Sequence, residues 1–152
     1  SSAASDVYKR QVSVIAIVAI VLGVHLLLVE ERRRELFFLL LSFLMGLGMD
    51  SLFVYFNVTS FGSQAWKILG VPLWMLLLWP SFASTLALSM SWLRGRFVLA
   101  ALFGLVGGPL SYLAGEKLGA LQINESFSRG LLTVGLGWGL ALLLLVVLRG
   151  KK

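Results

Sequence analysis

The sequence predicts an all-α fold, a polytopic membrane bundle with five visible spans, and three observations carry that prediction. Of the 152 residues, 59% are hydrophobic and 13% charged, far more apolar than a soluble domain. The apolar residues come in runs of the length a transmembrane helix needs, about 20 residues. Small residues recur at four-residue spacing inside those runs. In lipid that pattern lets helix backbones approach closely, and close packing drives helix association there.

The small-residue pattern is densest between Arg96 and Leu121, RFVLAALFGLVGGPLSYLAGEKLGAL. Gly107, Ser111, Gly115 and Gly119 make one ridge at helical spacing, and Gly104 and Gly108 add a second short row. In water each glycine would cost a helix about 1 kcal/mol relative to Ala. In lipid the ridge is expected to be buried, with other helices packed on it. The span is placed at 97–116. Pro109 removes a helical hydrogen bond within it, Tyr112 and Glu116 can meet on one face, and Lys117 is adjacent.

The remaining spans follow in order. Residues 1–11, SSAASDVYKRQ, differ in character from all that follows. Asp6 to Gln11 resembles an in-frame translation of a transposon end used to prepare sequencing libraries. The stretch is therefore expected to be non-native and is set apart from the single transmembrane bundle at 12–152. On that reading the natural chain begins upstream of Val12.

Residues 12–29 form the first visible span. His25 lies near its end without a carboxylate on its own helix face, and is expected to be a packing or interfacial residue. The charged loop 30–35, EERRRE, leads to the second span at 36–56. There Ser42, Gly46 and Asp50 share one face, with Asn57 two turns beyond Asp50. An aspartate inside a span costs about 2.5–3.5 kcal/mol at mid-membrane, so it is expected to face the bundle interior with a polar partner. Both readings of Asp50, functional group and buried anchor, stay open.

The third span is placed at 72–93, with Pro72 suited to a first helical turn and Pro80 unable to bond the Leu76 carbonyl. Ser81, Thr85 and Ser89 form a hydroxyl row expected to act between helices. The last span, 130–148, carries Gly135 and Gly139 at one-turn spacing.

The charges exclude as much as they suggest. The net charge of +6 sits in short loops, where Lys and Arg set membrane orientation; nucleic acid is not an expected partner. Loop 30–35, the Arg94–Arg96 turn and the 149–152 tail together hold eight basic residues, against three (Lys67, Lys117 and Arg129) on the alternate side. The positive-inside rule then places the C-terminus in the cytoplasm. Five spans would leave the start outside, so six are expected in the intact protein. In this orientation Asp50 lies about 20 Å from the cytoplasmic end of its helix. Asp50, Asn57, Trp79, Tyr112, Glu116 and Lys117 then form a candidate polar cluster toward the outer face.

The segments GLGMDS (46–51), PLWMLLLW (72–79), FASTLALSMSWL (82–93) and GLVGGPLSYLAGEKLGAL (104–121), in that order and spacing, resemble a family of bacterial inner-membrane proteins. That family is defined only as domain of unknown function 2878. The resemblance covers about half the chain and implies a small multi-span protein with an additional N-terminal span. Pro80 departs from the family pattern. Relatives encoded near genes resembling fatty-acid-modifying enzymes give a hint toward lipid chemistry, and no activity.

Absence of cysteine excludes disulfides, thiol catalysis and thiolate metal sites. Neither an HExxH motif nor a phosphate-binding glycine loop is present, so no metal or cofactor is expected. Three functions remain. The chain could be a lipid-associated membrane subunit or scaffold, with membrane lipid and a membrane or lipid-modifying protein as partners. It could be a small transporter of a hydrophobic or cationic solute, working as a homodimer, because Pro- and Gly-interrupted spans with polar residues at depth are what transport sites use. A membrane enzyme acting on lipid ranks behind both.

Overall fold

The computed structural model describes residues 2–62 and 66–150. Lys151 and Lys152, which enter the charge count, lie outside the described residues. Five helices dominate: α1 Ser2–Leu28, α2 Arg32–Tyr55, α3 Leu73–Ala87, α4 Phe97–Lys117 and α5 Phe127–Arg149. Among the described residues, a single 3₁₀ turn covers Ser91–Leu93, and four two-residue strands lie in the connections: β1 Thr59–Ser60, β2 Lys67–Ile68, β3 Val71–Pro72 and β4 Gln122–Ile123. Helix α1 includes residues 2–11 of the stretch set apart. Helix α2 starts at Arg32, so the three arginines of EERRRE form its first turn.

Among the described residues, four helices, α1, α2, α4 and α5, are long and apolar enough to cross a membrane. The third span differs from expectation. Its helix stops at Ala87 after 15 residues, about 22 Å, and the chain continues through turns and the 3₁₀ segment to Arg94. The hydroxyls of this helix turn inward on their own backbone instead of reaching other helices. Ser81 donates to the Leu77 carbonyl at 2.8 Å, Ser84 to Ser81 at 2.6 Å and Thr85 to Phe82 at 2.6 Å. Such bonds compete with the helical ladder. At the end, the Thr85 carbonyl accepts the amides of both Leu88 and Met90, which closes the helix.

The tightest seam is α4 against α5. Gly104, Gly135 and Gly139 bring backbone onto backbone: a Cβ at Gly104 would collide with the Trp138 carbonyl, and one at Gly135 would lie 2.8 Å from the Leu105 carbonyl. Gly108 makes room for the Trp138 side chain. The buried row on α4 is thus Ala100, Gly104, Gly108 and Tyr112. It replaces the expected ridge: Ser111 and Gly119 are exposed and Gly107 is half-buried. The two rows lie about 100° apart on the helix, and α5 docks on the one without Ser111. Gly119 instead ends the helix. Its φ is 73°, and the bonds Gly119 N–H to Glu116 O and Ala120 N–H to Gly115 O form a left-handed C-terminal cap.

Two core layers result. One packs Phe38, Leu86, Leu93, Ala100 and Leu142; the other packs Phe53, Val71, Met75, Tyr112 and Val134. Beside the second layer, β1 pairs antiparallel with β4, Thr59 opposite Ile123, and ties the α2–α3 connection to the α4–α5 connection. Outside the core, large apolar side chains such as Phe37, Leu44, Val98, Leu110 and Leu132 are exposed, as expected of helices compatible with a membrane protein.

Candidate functional site

Asp50 is the centre of the buried polar structure. Residues 46 and 50 share a face of α2, and Gly46 has no side chain where the Trp79 indole of α3 lies. The ring fits across α2, and its Nε1–H donates to Asp50 Oδ2 at 2.8 Å. From α4, the Tyr112 hydroxyl donates to Asp50 Oδ1. Trp138 of α5 stacks on Trp79, centroids 4.2 Å apart and planes 13° off parallel, and meets Tyr112 edge-on. Phe53, one turn along α2, also meets the tyrosine ring edge-on. Exposure is 1% at Asp50, 0% at Trp79 and 2% at Tyr112.

Both carboxyl oxygens of Asp50 are thus occupied by neutral donors, behind aromatic walls. This arrangement joins α2, α3 and α4 through one residue, with α5 held against it by ring packing. A buried polar group fully satisfied in this way fixes one helix arrangement.

The other sequence candidates lie elsewhere. Asn57, at φ 56°, accepts from the Asn124 side chain at 3.0 Å, and Glu116 accepts the Ile123 amide at 2.9 Å. Both brace the β1–β4 connections. Lys117 is exposed in the last turn of α4. Gly46, Gly104, Gly108, Gly135 and Gly139 all sit at close approaches, and Gly115 contacts Leu121.

A second polar cluster, absent from the sequence reading, lies at the opposite end of the bundle. Glu35 in the first turn of α2 is bonded by His25 Nε2 at 2.7 Å and by Arg149 Nη2 at 2.7 Å. The Arg149 guanidinium also stacks over Phe38, 4.7 Å from its centroid, and Arg34 donates to the Arg149 carbonyl at 3.0 Å. His25 and Glu35 are ten residues apart, flanking the turn between two adjacent helices. That hairpin spacing, together with an arginine at the end of the last helix on the same side by charge count, was the available signal.

This end of the molecule opens into a cavity of about 450 Å³ between α1, α2, the end of α3 and the end of α5. Glu30, Glu31, Arg34, Glu35, Arg94 and Arg149 supply its polar lining, and Phe37, Leu41, Leu88 and Leu148 its apolar wall. Arg94, Glu35 and Arg149 lining one cavity puts loop 29–31, the Arg94–Arg96 turn and the end of α5 at the same end of the bundle.

No curated protein and no solved structure matches the chain. A family model described as protein of unknown function (DUF2878) matches residues 5–144, and the chain belongs to that family.

Proposed function

We propose that this protein is a non-catalytic, lipid-associated subunit of a bacterial inner membrane, one that holds lipid for a membrane partner. The observation that carries the reading is the cavity beside Glu35. It pairs a charged rim with an apolar wall whose residues Phe37, Leu88 and Leu148 are themselves exposed, the form of a site entered sideways by an amphiphile. The Asp50 cluster supports the same reading by what it lacks: both oxygens are engaged and the group is shut away from solvent, which suits a helix clamp better than a solute-binding or proton-carrying site.

The reading includes five crossings and a cytoplasmic C-terminus. Helix α3 with its 3₁₀ extension runs from the strand-paired end to the Arg94 end, so the short helix crosses as an interrupted span. The basic residues at the cavity end then face the cytoplasm.

Purification of the full chain in mild detergent followed by native mass spectrometry tests the function. A lipid adduct that survives detergent exchange is the expected result; a chain that sheds all lipid with unchanged stability contradicts it. Reporter fusions after Lys152 that are active only on the outer side should stay silent.

A further inference from the structure

The charges lining the cavity itself are balanced, and most are already engaged. Three arginines and three glutamates line it. Glu35 is engaged by Arg149 and His25, and Glu31 by Arg34 at 3.3 Å. Of these six lining residues, one cation and one anion have no side-chain partner among the described residues, Arg94 and Glu30; Arg32 and Arg33 lie beside Glu30 in the adjoining recess. Arg94 uses Nη2 on the Ala87 carbonyl at 3.1 Å, while its Nε is buried with no acceptor. A guanidinium so placed has unused donors, and a buried donor without an acceptor is costly.

We propose that this cavity binds the head group of a zwitterionic glycerophospholipid bearing a primary ammonium, with the phosphodiester on Arg94 and the ammonium toward Glu30. The proposal rests on the lipid-associated reading and adds the head-group class. Guanidinium groups suit phosphate oxygens because they offer several donors in one plane. A carboxylate offers an ammonium acceptors on both oxygens. An anionic head group would satisfy Arg94 but leave Glu30 facing a like charge; a cationic amphiphile would do the reverse. The volume is in the range of small-ligand sites, enough for a head group whose acyl chains run outward along Phe37, Leu41 and Leu148.

The test uses the full chain, delipidated and returned to mixed vesicles holding equal amounts of phosphatidylethanolamine and phosphatidylglycerol, with retained lipid read by native mass spectrometry. Phosphatidylethanolamine should be retained over phosphatidylglycerol by about tenfold, the effect of one charge-assisted hydrogen bond. Arg94→Gln should lower retention of phosphatidylethanolamine by a similar factor. The exposed Glu30→Gln, which leaves the fold untouched, should erase the preference without abolishing lipid retention. Retention of both lipids equally by the unmodified chain, or an unchanged preference in Glu30→Gln, overturns the head-group assignment while leaving lipid association standing. Displacement by soluble phosphoethanolamine as effective as by the lipid overturns the lipid as occupant. Loss of all lipid from the unmodified chain overturns both this assignment and the reading it rests on.

Discussion

The two polar centres of this bundle solve opposite problems with similar parts. At Asp50 a carboxyl group meets two neutral donors, Trp79 and Tyr112, in a setting closed by Phe53 and Trp138. At Glu35 a carboxyl group meets two basic groups, His25 and Arg149, and lies on the wall of an open cavity. The difference follows from depth. Mid-helix, a single carboxyl is most cheaply held by hydrogen bonds from groups that bring no further charge. At a helix end, long arginine side chains reach polar surroundings, and ion pairs form where water and lipid head groups also have access. One centre therefore holds helices together, and the other lines the open cavity to which lipid binding is assigned as a proposal.

The largest expected effect comes from breaking the closed region wholesale. Gly104→Leu drives a side chain into the Trp138 carbonyl, which separates α4 from α5, and should cost about 3 kcal/mol or more; loss of the monodisperse folded peak in gel filtration reads this out. Gly107→Ala is the matched control. Its nearest neighbour would be Phe103 at 4.0 Å, so the change should be neutral or stabilise the helix by up to about 1 kcal/mol. Equal damage from both would mean that the Gly107 face is packed after all.

Next in size are the donors to Asp50. Trp79→Phe or Tyr112→Phe removes one donor and keeps most of the ring packing, and Asp50→Asn leaves one of the two donors badly matched. Each should lower stability by about 1–3 kcal/mol, measured as a drop in Tm in detergent. Raising the salt concentration should not change these losses, because the centre is closed to ions.

Glu35→Gln should behave differently. The ion pair with Arg149 that it removes lies at the bundle end, with Glu35 and Arg149 side chains 7% and 14% exposed, and the expected loss is about 1–3 kcal/mol, more than for a fully exposed pair. High salt should shrink it by screening the interaction that the substitution removes. A loss as salt-insensitive as that of Asp50→Asn would erase the distinction between the two centres.

Much of the closed centre could be read from the chain. Apolar runs locate the long helices, the cost of a buried carboxyl demands a partner for Asp50, and the rise per residue puts Trp79 and Tyr112 at its level. Gly46 belongs to the same face of α2 as Asp50, and the structure shows why: the indole needs that gap. Which of the two small-residue rows of α4, 104/108 or 107/111, is buried is not legible in the chain, and only the position of Trp138 on α5 chooses between them. The end of α3 was hidden because hydroxyls at Ser81, Ser84 and Thr85 can serve other helices or their own, and the sequence is the same in either case. Glu35 does not stand out in the chain because a run such as EERRRE reads as an orientation signal; which of its six residues turns inward depends on where α5 ends.

The smallest stability effect belongs to the open centre, and it gives the most direct test of the account. Retained lipid and Tm are measured together on the unmodified chain, Asp50→Asn and Arg94→Gln, purified in parallel by native mass spectrometry and thermal unfolding. A crossed result is expected: Asp50→Asn lowers Tm and keeps the lipid, while Arg94→Gln stays folded, retains about tenfold less lipid, and loses only about 1 kcal/mol through its bond to the Ala87 carbonyl and the weaker lipid binding. A folded Asp50→Asn protein that has lost its lipid, beside an Arg94→Gln protein that retains it, would contradict the assignment of anchoring to one centre and binding to the other.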